Sequence, residues 1–204
     1  MGWMKSVLFL LTMLVSNGFF AQLDYQSMEI ARRIAKDSSF SDTTHSPLNK
    51  DSAANFSGLN YFEPNETYCL FVKVKKKVGP IFTMPTSSGK VKEFRQYAIL
   101  KFKLNNKKHK LPIYQNIKLM KTPLYRDYLF IPFTDLTNSN ETYGGGRYIE
   151  AKIPVDGVLL ELDFNKCFNP YCHYSTGYNC PVPPRENFMN TRIEAGEKLL
   201  YNNH

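Results

Sequence analysis

The sequence lacks the motifs of the common hydrolases and nucleotide-binding enzymes. It contains no Gly-x-Ser-x-Gly elbow, no His-Glu-x-x-His and no dinucleotide fingerprint. The segment 85–91 ends like a phosphate loop, but Met84 stands where the first glycine belongs and Val91 where Ser or Thr is required. Histidine is scarce, with four in 204 residues. A general base would therefore be a carboxylate, for which Asp163 and Glu186 are the candidates.

Acidic residues are almost absent from the middle of the chain. Between Lys73 and Arg126, 15 basic residues stand against one acidic residue, Glu93, whereas the rest of the chain has 11 basic and 17 acidic residues. Many of these lysines alternate with apolar residues, which is typical of the solvated face of a sheet. The aromatic residues of the same strands fall on apolar positions, which argues against a nucleic-acid partner. Weak contact with an anionic membrane or polysaccharide surface stays open as an alternative.

Long hydrophobic runs are missing except at the N-terminus. Lys5 precedes the apolar run Val7 to Val15, and Ala21 offers a cleavage site, so residues 1–21 are predicted to be a signal peptide. The run is too short to span a bilayer comfortably, although an uncleaved anchor is the alternative. We therefore expect an exported protein, periplasmic or secreted, with a single domain over residues 22–204 and no transmembrane span after signal removal.

The remaining pattern predicts a mainly β fold. An N-terminal region, residues 22–60, comprises a helix from Asp24 to Lys36 and a polar segment that wraps the surface. A β domain follows over residues 61–204, in which Asn105-Asn106 marks a hairpin. We expect an antiparallel meander that forms a small barrel or strongly curved sheet, with the N-terminal helix packed against it. Strands are predicted over residues 68–77, 81–84, 91–104, 109–114, 129–133, 147–153 and 158–164.

The most distinctive segment, residues 141–184, begins with three glycines and an arginine. Gly144, Gly145 and Gly146 allow the backbone to approach a ligand closely. Arg147 follows them and can present a planar fork to a carboxylate or phosphate. A flexible hairpin with a surface arginine is the alternative interpretation.

Polar side chains follow the last predicted strand. Asp163, Asn165 and Asn169 stand among aromatic residues where that strand ends. Such side chains often satisfy the backbone of a loop, but strand ends also place ligand-binding groups. A buried Asp163 paired with Arg147 would form the core of a binding site or a structural ion pair.

The cysteines allow several interpretations. The spacing of Cys167, Cys172, His173 and Cys180 matches no common zinc pattern, so no metal site is predicted. Adjacent Cys172 and His173 do not make a catalytic pair by being neighbours in sequence. In an exported protein the default is a disulfide, either Cys172 with Cys180 or Cys167 with Cys180. Cys69 is expected to be a buried free thiol, and no cofactor is expected.

Eleven segments of the chain form one recognisable set of motifs. They are SPL at 46–48, GLNYF at 58–62, PTSSG at 85–89, RQYAIL at 95–100, LPIY at 111–114, LFIPFTDLT at 129–137, ETYGGGRY at 141–148, DFN at 163–165, NPYC at 169–172, CPVPPREN at 180–187 and AGEK at 195–198. As a set they resemble the bacterial and archaeal family called domain of unknown function 1684. The family's activity is not established, so the resemblance implies no reaction.

The resemblance does single out particular positions. Cys172 and Cys180 occupy motif positions, whereas Cys167 and His173 stand where the family pattern usually carries alanine. This weakens the metal and Cys-His interpretations further. Six polar side chains also fall on motif positions, and the resemblance implies a shared pocket built from them: Tyr143, Arg147, Asp163, Asn165, Asn169 and Glu186.

We therefore expect a protein that binds a small ligand, with an anionic group as one option, in a polar and aromatic pocket. Arg147 would bind the ligand's charge, the Gly144–Gly146 loop would supply backbone donors, and Asp163, Asn165 and Asn169 would orient the ligand. One alternative is a hydrolase that uses Asp163 or Glu186 as general base. Another is a non-catalytic cell-envelope interaction protein in which the same residues brace the fold.

Overall fold

The computed structural model describes residues 24–155 and 158–200. The predicted signal peptide and its cleavage site lie outside these residues. Helix α1 covers residues 24–41 and helix α2 covers Lys50–Ala54. The strands are β1 Cys69–Lys73, β2 Ile81–Pro85, β3 Val91–Leu104, β4 Lys107–Asn116, β5 Tyr128–Asp135, β6 Arg147–Lys152, β7 Leu159–Asp163 and β8 Phe188–Met189.

The strands form two sheets, which confirms the mainly β, antiparallel prediction. The larger sheet runs β2-β3-β4-β5-β6 with antiparallel neighbours, and β8 adds a short parallel pairing to β5. The predicted meander ends there, because β7 pairs with β1 in a separate two-stranded sheet and not with β6. In the described residues no ladder joins β2 to β6, so closure into a small barrel stays a prediction.

The β3–β4 hairpin illustrates how sequence sets local structure. Its two turn residues, Asn105 and Asn106, have φ values of 49° and 60°, the left-handed region that two-residue hairpin turns require. Asparagine tolerates this region better than other non-glycine residues. Both strands therefore pair in register from Leu104 opposite Lys107, and the ladder shifts at one bulge between Gln96 and Ala98.

The N-terminal helix is present but longer than predicted. It continues through Ser39 and Ser41 to residue 41, where the sequence predicted an irregular segment. Phe40 explains the extension: it is 1% exposed and its ring lies 5.1 Å from that of Tyr174 and 5.6 Å from that of Phe56. Burial of this ring outweighs the weak helix propensity of the serines beside it. No helix within residues 24–155 and 158–200 combines the length and apolar character needed to cross a bilayer.

The larger sheet is buried on both of its faces at β5, because successive residues of this strand pack into two different clusters. Leu129, Ile131 and Phe133 pack into the main core, which the smaller sheet also contributes to. Phe130 alternates with them and packs on the opposite face with Tyr148 and other aromatic side chains. The period of two along the strand thus separates the main core from a smaller, mostly aromatic cluster, and the candidate site lies on the side of that cluster.

Candidate functional site

Arg147 lies at the start of β6 and is fully buried, with 0% of its surface exposed. One terminal nitrogen donates a hydrogen bond to the carbonyl oxygen of Ala195 at 2.5 Å. The other donates to the Ile193 carbonyl oxygen at 2.8 Å and to the Asp135 carboxylate at 3.3 Å. Both terminal nitrogens are therefore occupied by acceptors of the chain itself, and they fix the C-terminal segment (residues 191–198) against β6.

Asp135 at the end of β5 is the buried partner of Arg147, and the anticipated partner Asp163 is not. The Asp135 carboxylate also accepts hydrogen bonds from the Thr137 hydroxyl at 2.8 Å and from the Ile193 backbone N–H at 2.7 Å. A buried carboxylate is tolerated only when it is paired and hydrogen-bonded in this way. The ion pair joins the end of β5 to the start of β6, and both of its members also form hydrogen bonds with Ile193 of the C-terminal segment.

Asp163 lies at the end of β7 and joins that strand to helix α1. Its carboxylate accepts a hydrogen bond from the Tyr25 hydroxyl at 3.0 Å and caps the following turn through the Asn165 backbone N–H at 2.9 Å. Burial, together with the nearby Asp163 charge, raises the pKa of Tyr25. Asn165 pairs in both directions with the backbone of Asn65, at 2.8 and 2.9 Å. These two predicted site residues satisfy loop backbone groups, which was the alternative interpretation.

Asn169 belongs to a second buried network around Glu197, a residue that is 1% exposed. The Asn169 backbone N–H donates to the Glu197 carboxylate at 2.7 Å, and its side-chain amide donates to the Lys198 carbonyl oxygen at 2.8 Å. The Glu197 carboxylate also accepts from the Tyr174 hydroxyl and pairs with the Lys36 ammonium of α1, both at 2.5 Å. This network holds α1, the loop at Asn169 and the C-terminal segment together.

The three glycines form a tight turn beside Tyr143. Gly144 and Gly145 are exposed, whereas Gly146 is buried with a φ of +87°. A Cβ at Gly146 would lie 2.6 Å from the Phe133 carbonyl oxygen, so only glycine fits there. The close approach is thus to the chain's own strand β5.

All four cysteines are free thiols, so the predicted disulfide is not present in the structure. Cys172 and Cys180 are nevertheless neighbours, because the Cys172 backbone N–H donates to the Cys180 sulfur at 3.4 Å. The Cys172 sulfur in turn lies 3.8 Å from the Tyr143 hydroxyl. Cys167 is 1% exposed, and burial raises its pKa to about 12. Cys69, predicted to be buried, is half-buried.

One group of side chains has the composition of a metal site. The ligand atoms of Cys69, Glu161 and Asp163 all lie within 4.8 Å of one another. The Lys166 ammonium, however, already pairs with both carboxylates, at 3.6 Å from Asp163. Burial raises the pKa of Cys69 to about 12, which disfavours the thiolate that a metal would need. We assign no metal to this group.

The three charged residues of the predicted pocket lie in different parts of the fold. Glu186 is exposed in a short helix, where it accepts a long hydrogen bond from the Tyr114 hydroxyl at 3.4 Å. Arg147 is enclosed behind the C-terminal segment, and Asp163 faces helix α1. The structure therefore does not bring Arg147, Asp163 and Glu186 to one cavity. A ligand-binding role for them stays a prediction, while their contacts in the structure are structural.

A cavity of about 270 Å³ does open on the aromatic face of the larger sheet. We call it the aromatic cavity. Its rings form a continuous wall, in which successive ring centres lie 5.5, 4.8 and 5.9 Å apart. These rings belong to Phe94, Phe130, Tyr148 and Phe168, and Tyr171 and Tyr178 add two more at the opening, 5.2 Å apart.

The wall of the aromatic cavity is held by backbone pairing. Tyr148 and Phe168 exchange two backbone hydrogen bonds at 2.9 and 3.0 Å, and the Tyr148 hydroxyl donates to the Pro181 carbonyl oxygen. The segment 168–181 is thus fixed on β6 and completes the cavity that the strands begin. Cys180 is part of the same wall.

Few charged groups reach the aromatic cavity. Lys92 and Glu150 are its charged side chains, and the Glu150 carboxylate accepts a hydrogen bond from the Tyr128 hydroxyl at 2.8 Å. Burial raises the pKa of Tyr148, and burial together with Glu150 raises that of Tyr128. Both phenols therefore stay protonated at neutral pH and act as hydrogen-bond donors. The cavity offers flat aromatic walls with one basic group, one acidic group and two side-chain amides.

Comparison with known proteins places the chain in a family. Residues 54–198 match the family described as "Protein of unknown function (DUF1684)". The chain belongs to this family. The match confirms the resemblance seen in the motifs, and the DUF1684 region contains both the aromatic cavity and the buried Arg147 network. No match was found among curated proteins.

A solved structure shares the fold of this DUF1684 chain. It is the solution NMR structure of an uncharacterized protein from gene locus rrnAC0354 of Haloarcula marismortui. The two chains are 30% identical, with a TM-score of 0.63, and the similarity covers 86% of this chain and 94% of the other. The relative supplies a fold and no activity.

Three features were not predicted from the sequence: the ion-pair partner of Arg147, the carboxylate at the centre of the second buried network, and the aromatic cavity. Asp135 and Glu197 stand within quoted motifs, but neither was singled out as charged among apolar or small neighbours. The aromatic face of β5 was hidden because its two alternating faces are both apolar, so the strand reads as one hydrophobic run. The signal that was available is the cluster of Phe168, Tyr171 and Tyr178 beside the cysteines.

Proposed function

We propose that the protein is an exported binding protein that holds a small ring-bearing ligand in the aromatic cavity. The observation that carries this is the wall of stacked and edge-on rings, pinned by the pairing of Tyr148 with Phe168. Such a wall is largely preformed, and aromatic faces favour flat ligands that lie against them. Export rests on the N-terminal sequence pattern alone.

The size of the cavity limits the ligand. At about 270 Å³ it exceeds the roughly 150 Å³ that holds a benzene molecule, but it lies below the range of drug-sized sites. A single substituted ring therefore suits it. Lys92 can pair with an acidic substituent of the ring, and Glu150 can accept a hydrogen bond from a hydroxyl or amino substituent. An anionic ligand would thus meet Lys92 and not Arg147.

Binding is favoured over hydrolysis by the position of the carboxylates. Asp163 and Glu186, the candidate general bases, do not line the aromatic cavity. Glu150 does, and one of its two carboxylate oxygens accepts a hydrogen bond from the Tyr128 hydroxyl. In the oxidising compartment that export implies, Cys172 and Cys180 would be able to join as a disulfide at the cavity wall.

The test is a screen of monocyclic aromatic acids, amines and monosaccharides by ligand-observed NMR and thermal shift. The variant Tyr171→Ala removes a ring that is 42% exposed at the cavity opening, and Phe188→Ala removes one that is 49% exposed outside it. We expect hits that bind the wild type and Phe188→Ala equally and Tyr171→Ala at least about fivefold more weakly, since one aromatic contact is lost. The proposal would be overturned by ligands that bind the wild type and both variants with equal affinity, or by a screen without any ligand of dissociation constant below about 1 mM.

A further inference from the structure

Five lysine side chains line one concavity at the edge of strands β1 and β3. The concavity measures about 490 Å³, and we call it the lysine concavity. Lys73 is the last residue of β1, and three further lysines of the set follow within the next four residues. Lys101 lies on β3, two residues after Ile99. Its lining in the described residues contains no carboxylate. The full set is Lys73, Lys75, Lys76, Lys77 and Lys101, with Ile99 as the apolar floor.

The backbone under these lysines is fixed by hydrogen bonds. The Lys77 N–H donates to the Tyr97 carbonyl oxygen at 2.9 Å, and the Lys77 carbonyl oxygen accepts from the Gln96 side-chain amide at 2.9 Å. Lys76 pairs with Ala98 as an isolated bridge, and its ammonium lies 5.6 Å from the centre of the Tyr97 ring. The backbone that carries these lysines is therefore held against β3, and the side chains surround the concavity from a fixed frame.

The charges of the lysine concavity are not compensated within the described chain. Among the described residues, the lysines that form ion pairs are Lys36, Lys152 and Lys166. None of the three belongs to the lysine concavity. A solvated outer face explains exposed lysines, but it does not require five of them around one concave surface. Like charges around one concavity repel one another, and an anion of several charges would reduce that repulsion.

We infer that the lysine concavity binds a compact polyanion that carries two or more phosphate or sulfate groups. Lysine ammonium groups act as separate point charges, so they suit a ligand whose charge is spread over several tetrahedral groups. A free oligophosphate and the phosphorylated headgroup of a lipid offer the same chemistry. The concavity shares no residue with the aromatic cavity, so the inference is independent of the proposed function.

The first experiment titrates the full chain with sodium tripolyphosphate by calorimetry at about 20 mM salt, where screening is weak. The test variant is the triple substitution Lys75→Gln, Lys77→Gln and Lys101→Gln. The matched control, Lys90→Gln, Lys103→Gln and Lys108→Gln, removes the same charge from exposed lysines outside the concavity.

We expect the test variant to bind at least about tenfold more weakly, since each exposed ion pair contributes roughly threefold. The control should change binding by less than about twofold, and unchanged thermal midpoints will show that both variants are folded. Equal weakening in both variants would mean a general charge effect and would overturn the inference, as would a wild type that does not bind.

A second arm separates the two sources of phosphate. Phosphatidylcholine vesicles with and without a lipid whose headgroup carries two phosphates are added to the same proteins. A headgroup ligand predicts vesicle binding that needs that lipid, is lost in the test variant and competes with tripolyphosphate. A free oligophosphate predicts tripolyphosphate binding without vesicle binding. Vesicle binding that is equal in test and control variants contradicts a defined site.

Discussion

The substitution Arg147→Lys separates a bracing role of this residue from a ligand-binding one. Lysine keeps the positive charge and much of the length, so a loss of stability would come from the shape of the guanidinium. That shape matters because two different terminal nitrogens bond Ala195 on one side and Ile193 on the other. An ammonium is a single point and reaches only one of these two positions.

The magnitude follows from the contacts that lysine cannot keep. A hydrogen bond to a charged group contributes about 1.5–3 kcal/mol, and a buried carbonyl left without a partner adds a desolvation cost of about 1–3 kcal/mol. Part of the Asp135 interaction at 3.3 Å survives because the charge is retained. The free energy of unfolding should therefore fall by about 2.5–6 kcal/mol, a large fraction of the stability of one domain.

Urea unfolding followed by tyrosine fluorescence and circular dichroism measures this loss. Arg126→Lys is the matched control, because Arg126 is exposed and the same exchange there should cost less than about 0.5 kcal/mol. Limited proteolysis should also cut Arg147→Lys more quickly within residues 191–198, since these lose their anchor. If Arg147→Lys unfolds at the same urea concentration as Arg126→Lys, the guanidinium does not brace the C-terminal segment and the reasoning fails.

Two further predictions concern the glycine turn and the cysteines. Gly146→Ala should lower the free energy of unfolding by at least about 2 kcal/mol more than Gly177→Ala: their φ values are +87° and +88°, but only at Gly146 would the new Cβ meet a backbone oxygen, at 2.6 Å. Equal losses would show that backbone strain alone matters. Air oxidation followed by peptide mapping should join Cys172 to Cys180, which the 3.4 Å contact brings together. Burial raises the pKa of Cys180, so the reaction should accelerate with pH. Both thiols alkylating freely after oxidation would contradict the pairing.

The local parts of the fold could be predicted from the sequence because local rules govern them. Strand β3 has the predicted bounds, Val91 to Leu104, since apolar and charged residues alternate along it. The Asn105-Asn106 turn follows from the backbone freedom of asparagine. The end of α1 was wrong because the burial of Phe40 depends on Tyr174, a residue far along the chain.

The site was harder to predict because a motif identifies a residue without identifying its partner. Arg147 after three glycines is compatible with a ligand clamp or with a brace, and only the carbonyl oxygens of Ala195 and Ile193 decide between them. That Asp135 is the partner of Arg147 could not be predicted either, because nothing in the local sequence distinguishes Asp135 from Asp163 as a partner. Long-range pairing of buried charges depends on topology, and the sequence prediction of the meander was already incomplete at β7.

The pairing of Lys36 with Glu197 has a consequence for the order in which the protein can assemble. Lys36 lies on helix α1, whereas Glu197 lies in the C-terminal segment that follows β8. The Tyr25 hydroxyl of the same helix bonds Asp163, at the end of β7. The contacts that fix α1 on the rest of the fold thus join residues far apart in the sequence, and contacts of such long sequence separation slow folding. Helix α1 is therefore expected to dock only after both sheets have paired.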